Sequence, residues 1–283
     1  MSARVTLRRL DEMKAAREPI VMVTAYDFAT ARLADRAGVD MVLVGDSGAQ
    51  VVLGHDSTAE VTVEEMLVLA AAVRRGVSAA FVVVDLPFGS TELSDAQAVE
   101  TAVRFVKEAG ADAVKIEGGG AARLSRIRAI ADAGIVVVAH VGLTPQTAVA
   151  LGGLRAQGRS EASAERFARE ALAVQDAGAS LLVIEAVPAD VVDVVLPAVA
   201  IPVIGIGAGA ADGQVLVAHD LLGITEGKTA VFVERFAAVG DAIHAGFAAY
   251  ADAVRSGAFP AAEHGYRAPA EAVAAAARVV SAR

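Results

Sequence analysis

The chain has 283 residues, 55% of them hydrophobic and 21% charged, with a formal net charge of −9 and neither cysteine nor tryptophan. This composition supplies a full core and excludes a disordered chain, and the lack of cysteine excludes disulfides, thiolate nucleophiles and cysteine-bound zinc or iron–sulfur centres and fits a reducing cytoplasm. The acidic balance argues against a nucleic-acid partner, which needs a basic face, and leaves small molecules, since a local pocket can be positive on an acidic protein.

In chain order, the first apolar run, Ile20 to Val23, is short and lies too far in for a secretory leader. It starts a series of eight predicted strands near 20–24, 40–45, 80–85, 112–117, 135–140, 180–185, 202–206 and 214–219. Helical patterns fall between most of them, at 27–37, 62–75, 94–109, 121–133, 161–177 and 188–198. A phrase recurs along the way: "DRAGVDMVLVGD" (35–46), "KEAGADAVKIEG" (107–118), "ADAGIVVVAHVG" (131–142) and "QDAGASLLVIEA" (175–186). Each is a helix end, Ala-Gly, a β-branched run and a polar residue. Glycine suits the left-handed position after a helix, and nearly continuous apolar runs suit parallel strands covered on both faces. Eight alternating units predict a closed (β/α)8 barrel, a single domain over 1–283.

Three stretches need separate readings. Only 207–213 separates strands seven and eight, too little for a crossover helix, so that unit is degenerate or the eighth strand is a helix. The uncharged stretch Val194 to Ala211 is broken by two prolines and three glycines, which excludes a membrane span. Residues 230–256 read as one or two helices, 257–267 as an extended tail and 268–282 as an Ala-rich helix.

A barrel of this kind gathers its chemistry at the C-terminal ends of the strands. Those ends read Tyr26 and Asp27, Asp46 and Ser47, Asp85, Lys115 and Glu117, His140, Glu185 and, on the doubtful eighth, Asp220. Residues two apart on a strand share a face, so Lys115 and Glu117 point together. One charge at a strand end is ordinarily a solvated cap. A row of them at consecutive ends is a different matter, because buried charges are costly unless paired or bound to a metal. Asp46, Asp85 and Glu117 offer hard oxygen ligands suited to Mg²⁺, the two aspartates directly and Glu117 directly or through water. Such an ion, holding an α-keto acid, polarises its ketone. Lys115 then pairs with developing oxyanion charge, Glu185 is the candidate base beside the ketone, and His140 is a donor or shuttle, or a structural histidine. "GIGAG" (205–209) has the wrong spacing for a dinucleotide loop and reads as close backbone approach around a ligand, or a plain turn. "GLTPQT" (142–147) reads as a helix start capped by Thr144, and 151–160 as a lid or a long connection.

The phrases "TAYDFATARLADRAGVDMVLVGDS", "VVLGHDST", "VVVDLPFGS", "AVKIEGG", "HVGLTPQ", "GGLRAQGR", "GIGAG", "DGQVLVAHDLLG" and "GAFPAAEH", in this order from about residue 20 to 265, resemble the ketopantoate hydroxymethyltransferase family. The resemblance implies a barrel of the phosphoenolpyruvate mutase and isocitrate lyase type. It implies hydroxymethyl transfer from 5,10-methylenetetrahydrofolate to 3-methyl-2-oxobutanoate with Mg²⁺, and assembly as a homo-oligomer, commonly a decamer. It places Asp46 and Asp85 on the metal with Glu117 completing the surroundings, Ser47 and Lys115 on the substrate, and Glu185 as proton acceptor. This chain departs from the family pattern at Gly48-Ala49-Gln50, at His55 in place of Tyr, at Glu234 in place of Lys, and in "AADGQ", which is shorter and lacks Pro and Cys. A Mg²⁺-dependent α-keto acid lyase or mutase on the same barrel is the competing enzyme reading; relatives of that kind often carry a cysteine-containing loop, which a chain without cysteine lacks. A non-catalytic barrel would show broken strand-end chemistry.

Overall fold

The computed structural model describes residues 4–282. Eight parallel strands close into a barrel in sequence order: β1 (Ile20–Thr24), β2 (Met41–Val44), β3 (Phe81–Asp85), β4 (Ala113–Glu117), β5 (Val136–Gly142), β6 (Leu181–Glu185), β7 (Val203–Ile206) and β8 (Gly213–Leu216). The helices are α1 (Leu7–Ala16), α2 (Phe28–Ala37), α3 (Gly48–Val51), α4 (Val63–Gly76), α5 (Asp95–Ala109), α6 (Ala121–Asp132), α7 (Glu161–Asp176), α8 (Ala189–Val195), α9 (Ala218–Leu221), α10 (Val239–Arg255) and α11 (Ala270–Ser281). Starts and stops follow local chemistry. Asp27, Ser94 and Ser160 accept backbone N–H bonds at the N-termini of α2, α5 and α7, and Thr62 forms a reciprocal capping box with Glu65 on α4. Gly38 and Gly110 end α2 and α5 in the left-handed conformation.

Alternate strand residues divide the core in two. Val42, Val44, Val82, Val84, Val114, Ile116, Leu182 and Ile184 pack outward against the helices. Met41, Leu43, Phe81, Val83, Ala113, Val138, Leu181, Val183 and Ile204 fill the barrel. Leu10 and Met13 of α1 belong to the interior cluster, so this helix stoppers the end where the strands begin. The other end opens to the site. No helix among the described residues is long and apolar enough to cross a membrane.

Three expectations are corrected. The eighth strand is real but ends at Leu216, and Ala218–Leu221 is helical; the degenerate unit is the crossover, which returns through 207–212 without a helix. Strands of four residues make this feasible, because a return of roughly 10–15 Å lies within reach of six extended residues. Of 230–256, only Val239–Arg255 is helical. Thr144 makes no capping bond: Pro145–Thr147 is a single 3₁₀ turn, and Thr144 Oγ1 pairs with Thr147 Oγ1 at 2.7 Å.

Candidate active site

The strand ends surround a cavity of about 550 Å³ whose lining includes Asp46, Ser47, Asp85, Lys115, Glu117, His140 and Glu185. All of the predicted site residues therefore meet in one place. The register explains how: Asp85 pairs with Lys115, Glu117 with His140, and Glu185 with Gly142 across adjacent strands. Each of these side chains continues the inward phase of its strand above the apolar filling. Asp46 and Ser47 follow the end of β2, and the Asp46 backbone N–H donates to Asp85 Oδ2 at 3.0 Å. Asp27 is not part of the group, since its carboxylate caps α2 through Ala29 and Thr30.

Asp46, Asp85, Lys115, Glu117 and His140 are each 5% exposed or less. The Lys115 ammonium lies 3.0 Å from Asp85 Oδ1 and 3.9 Å from Glu117 Oε1. Burial disfavours its charge, but the three surrounding carboxylates more than offset this and hold it protonated above the usual lysine range. The Asp46 carboxyl is pushed well above the usual range by burial, with Asp85 and Glu117 adding to the effect. Burial also raises Asp85, against the pull of Lys115 and the Asp46 N–H. For Glu117, burial is outweighed by His140, Lys115 and the Gln146 N–H, so its carboxyl lies below the usual range. Three buried carboxylates around one ammonium leave an excess of negative charge.

His140 stands between two acids, with Nδ1 3.3 Å from Glu117 Oε1 and Nε2 3.3 Å from Glu185 Oε2. Burial and Lys115 oppose its protonation, yet its bonds to the two glutamates prevail and push it up to about 9. Glu185 is more open, its side chain 17% exposed. Its backbone is held firmly, because its carbonyl accepts the Leu143 N–H at 2.8 Å and the next residue, Ala186, is a non-glycine at φ +50°. Ser47 Oγ is 2.8 Å from the hydroxyl of Tyr26, a phenol that burial keeps neutral.

Sequence reasoning missed Gln146, which joins the acids from the loop after β5. Its backbone N–H donates to Glu117 Oε2 at 3.0 Å, and its side-chain Nε2 donates to Asp46 Oδ2 at 2.8 Å and to the Leu86 carbonyl at 2.9 Å. The rim is less polar. Leu143, Pro145, Leu154, Ala156, Val231 and Phe232 line it, together with Arg155. The 151–160 segment is thus part of the cavity wall, tied to the base-bearing strand by the Gln157 N–H on the Ala186 carbonyl at 2.8 Å. The "GIGAG" glycines serve internal packing: a Cβ on Gly207 would fall 2.4 Å from the Phe232 ring, and one on Gly209 would fall 2.5 Å from Ala189 Cβ. Of the departures from the family pattern, Gln50 reaches the cavity, while His55 lies 3.7 Å from both Glu60 and Glu65.

A sequence profile described as ketopantoate hydroxymethyltransferase matches residues 4–262. The chain belongs to the ketopantoate hydroxymethyltransferase family. Among its relatives in that family, the 3-methyl-2-oxobutanoate hydroxymethyltransferase of Moorella thermoacetica is 52% identical over 266 residues, 94% of this chain and 98% of the relative. That of Rhodococcus jostii is 51% identical over 259 residues, 91% and 89% of the two chains. The mitochondrial enzyme 1 of Arabidopsis thaliana is 47% identical, covering 92% and 77%. This ketopantoate hydroxymethyltransferase family member is accordingly an enzyme on a barrel of the phosphoenolpyruvate mutase and isocitrate lyase type. Phosphonopyruvate hydrolase, solved with oxalate and Mg²⁺, superposes with a TM-score of 0.61 at 14% identity over 98% of each chain. A 2,3-dimethylmalate lyase of that superfamily gives 0.57 at 20% identity over 89% and 88%; at this distance the likeness concerns fold alone.

Proposed function

We propose that the cavity binds 3-methyl-2-oxobutanoate beside 5,10-methylenetetrahydrofolate and forms 2-dehydropantoate, with Glu185 removing the proton at C3 of the keto acid. The observation that carries this reading is the placement of Glu185, which faces the same cavity as Asp46, Asp85 and Lys115 from the opposite side of the barrel mouth. The carboxylate of Glu185 is more open than its neighbours and is steadied by His140 at 3.3 Å. It can therefore reach a carbon acid held against the acids of β2 to β4. Ser47, fixed by Tyr26, is a hydrogen-bond donor for the substrate carboxylate. Lys115 balances Asp85 and Glu117 and presents its remaining donor capacity to oxygen charge that develops on proton loss. The apolar rim and Arg155 suit the larger, anionic folate donor, for which a cavity of about 550 Å³ has room beyond a small keto acid.

The donor set fits a hard divalent cation. It is made of carboxylate oxygens with excess negative charge, and it lacks the three-fold convergence of a closed cage: among the described residues no three His, Cys, Asp or Glu side chains enclose a metal position. Two protein carboxylates with water completing the shell is the arrangement Mg²⁺ prefers. Asp46 and Asp85 would hold it, and Glu117, whose oxygens already face Gln146, His140 and Lys115, would act through water. Bound there, Mg²⁺ supplies Lewis-acid polarisation of the ketone.

Hydrogen–deuterium exchange at C3 of 3-methyl-2-oxobutanoate, in D₂O with Mg²⁺ and no folate, tests the reading. Wild type should exchange, and Glu185→Gln should lose about 10² to 10⁴ in exchange rate with its metal affinity unchanged. Undiminished exchange in that variant would remove Glu185 from its role. Product formation only with the folate donor separates the transferase from a lyase. We also infer that copies of the chain assemble with one another, a decamer by the family resemblance.

A further inference from the structure

We propose that Gln146 is the positioning residue of the metal site: it turns Asp46 so that a single carboxylate oxygen is offered to the cation, and in the same gesture holds Glu117 in the surrounding layer. The inference rests on the reading of Asp46 and Asp85 as the Mg²⁺ ligands. Its basis is a set of three hydrogen bonds made by one buried residue. The side-chain amide donates both of its protons, one to Asp46 Oδ2 at 2.8 Å and one to the Leu86 carbonyl at 2.9 Å. Two acceptors on one nitrogen fix the orientation of the amide, because the amide oxygen in that place would meet two other oxygens. The Leu86 carbonyl follows directly after Asp85, so the same nitrogen measures the spacing between the two aspartates. The backbone N–H of Gln146 engages Glu117 Oε2 at 3.0 Å, which joins the third acid to this unit.

The consequence for Asp46 is specific. A buried carboxylate beside two others has no strong preference for one rotamer over another, since Asp85 and Glu117 repel it and only Lys115 and Gln146 draw it. With Oδ2 engaged by Nε2, the other oxygen is left for a cation and two-oxygen chelation by Asp46 is disfavoured. Glutamine suits this task for physical reasons. It reaches across from the β5 loop, it donates without adding charge, and Pro145 before it starts the 3₁₀ turn that aims both its N–H groups at the acids. Outer-layer partners of this kind typically contribute about 10- to 100-fold to metal affinity.

The test is Mn²⁺ binding, followed by the EPR signal of free Mn²⁺ and by water-proton relaxation of the bound ion, on the full chain. Gln146→Met preserves length and buried volume but cannot donate. Gln146→Asn keeps an amide but withdraws it by one carbon. Both should bind Mn²⁺ at least tenfold more weakly than wild type. Both should also show lower relaxation enhancement per bound ion, as the freed Asp46 oxygen displaces a coordinated water. A folded variant that binds Mn²⁺ within twofold of wild type overturns the proposal, as does failure of both variants to fold, which would make Gln146 a purely structural residue. Wild type that binds no Mn²⁺ overturns instead the metal reading on which this rests.

Discussion

The imidazole of His140 has Glu117 on one nitrogen and Glu185 on the other, each at 3.3 Å. Its pKa in the folded chain is pushed up to about 9, whereas an unfolded histidine titrates near 6.5. Between those two values the folded state holds a proton that the unfolded chain releases, so stability falls as pH rises across that window. The contribution is complete below about pH 6.5, is gone above about pH 9, and for a shift of this size amounts to at most about 3 kcal/mol. Urea denaturation of the EDTA-treated enzyme should therefore show the gap between wild type and His140→Gln narrowing steadily from pH 6 to 9.5. A gap independent of pH would mean that the ring is neutral in the folded protein. Activity should respond in the opposite sense at low pH. A divalent cation beside Glu117 opposes the imidazolium, so metal affinity should rise as pH increases through the same range.

At the scale of elements, the meeting of β5 and β6 decides where the base sits. Gly142 ends β5 at φ +96°, opposite Glu185, and a Cβ there would lie 2.3 Å from the Glu185 carbonyl oxygen. Gly142→Ala combines a left-handed penalty of about 1–2 kcal/mol with a backbone clash. It should lower stability by more than about 3 kcal/mol and abolish exchange at C3. Gly134→Ala is the control: Gly134 has φ +83° and nothing within 4 Å of its built Cβ, so it should lose about 1 kcal/mol and keep its activity. Thermal unfolding and the exchange assay read both variants, and equal losses would deny any special role to the β5–β6 junction. The strands around this junction were legible because apolar runs ending in Ala-Gly phrases mark buried parallel strands whatever their neighbours are. Alternation then placed Asp85, Lys115, Glu117, His140 and Glu185 inward. The helix Leu7–Ala16 was missed because it serves as a stopper rather than as a crossover between strands. It was nevertheless signalled by Thr6, whose side chain accepts the Arg9 N–H, and by the spacing of Leu10 and Met13. Gln146 was not legible at all. It lies beyond a strand end, in a turn, and only closure of the barrel brings it to residues 29 and 100 positions away in sequence.

For the molecule as a whole, seven of the barrel's intervals are treated differently from the last. The return from β7 to β8 carries no helix, α9 is four residues long, and at this side of the barrel Val21 is 49% exposed. Meanwhile α10 and α11 bury none of their residues. Along α10 run Ile243, Phe247, Tyr250 and Val254, spaced as one helical face and 44%, 71%, 59% and 46% exposed. A 17-residue helix with such a face gains little from water, since burying each large apolar side chain contributes about 1.5–3 kcal/mol. A second copy of the chain offers both a complementary apolar surface and the same need, which is the logic of a self-complementary contact. Phe247→Asp places a charge in the middle of this face. In sedimentation velocity, wild type should travel as a homo-oligomer and Phe247→Asp as a smaller species. The barrel site is built entirely from other elements, so the variant should retain measurable C3 exchange. If wild type sediments as a monomer of 28.7 kDa, or if the variant assembles as wild type does, the α10 face is not where copies meet.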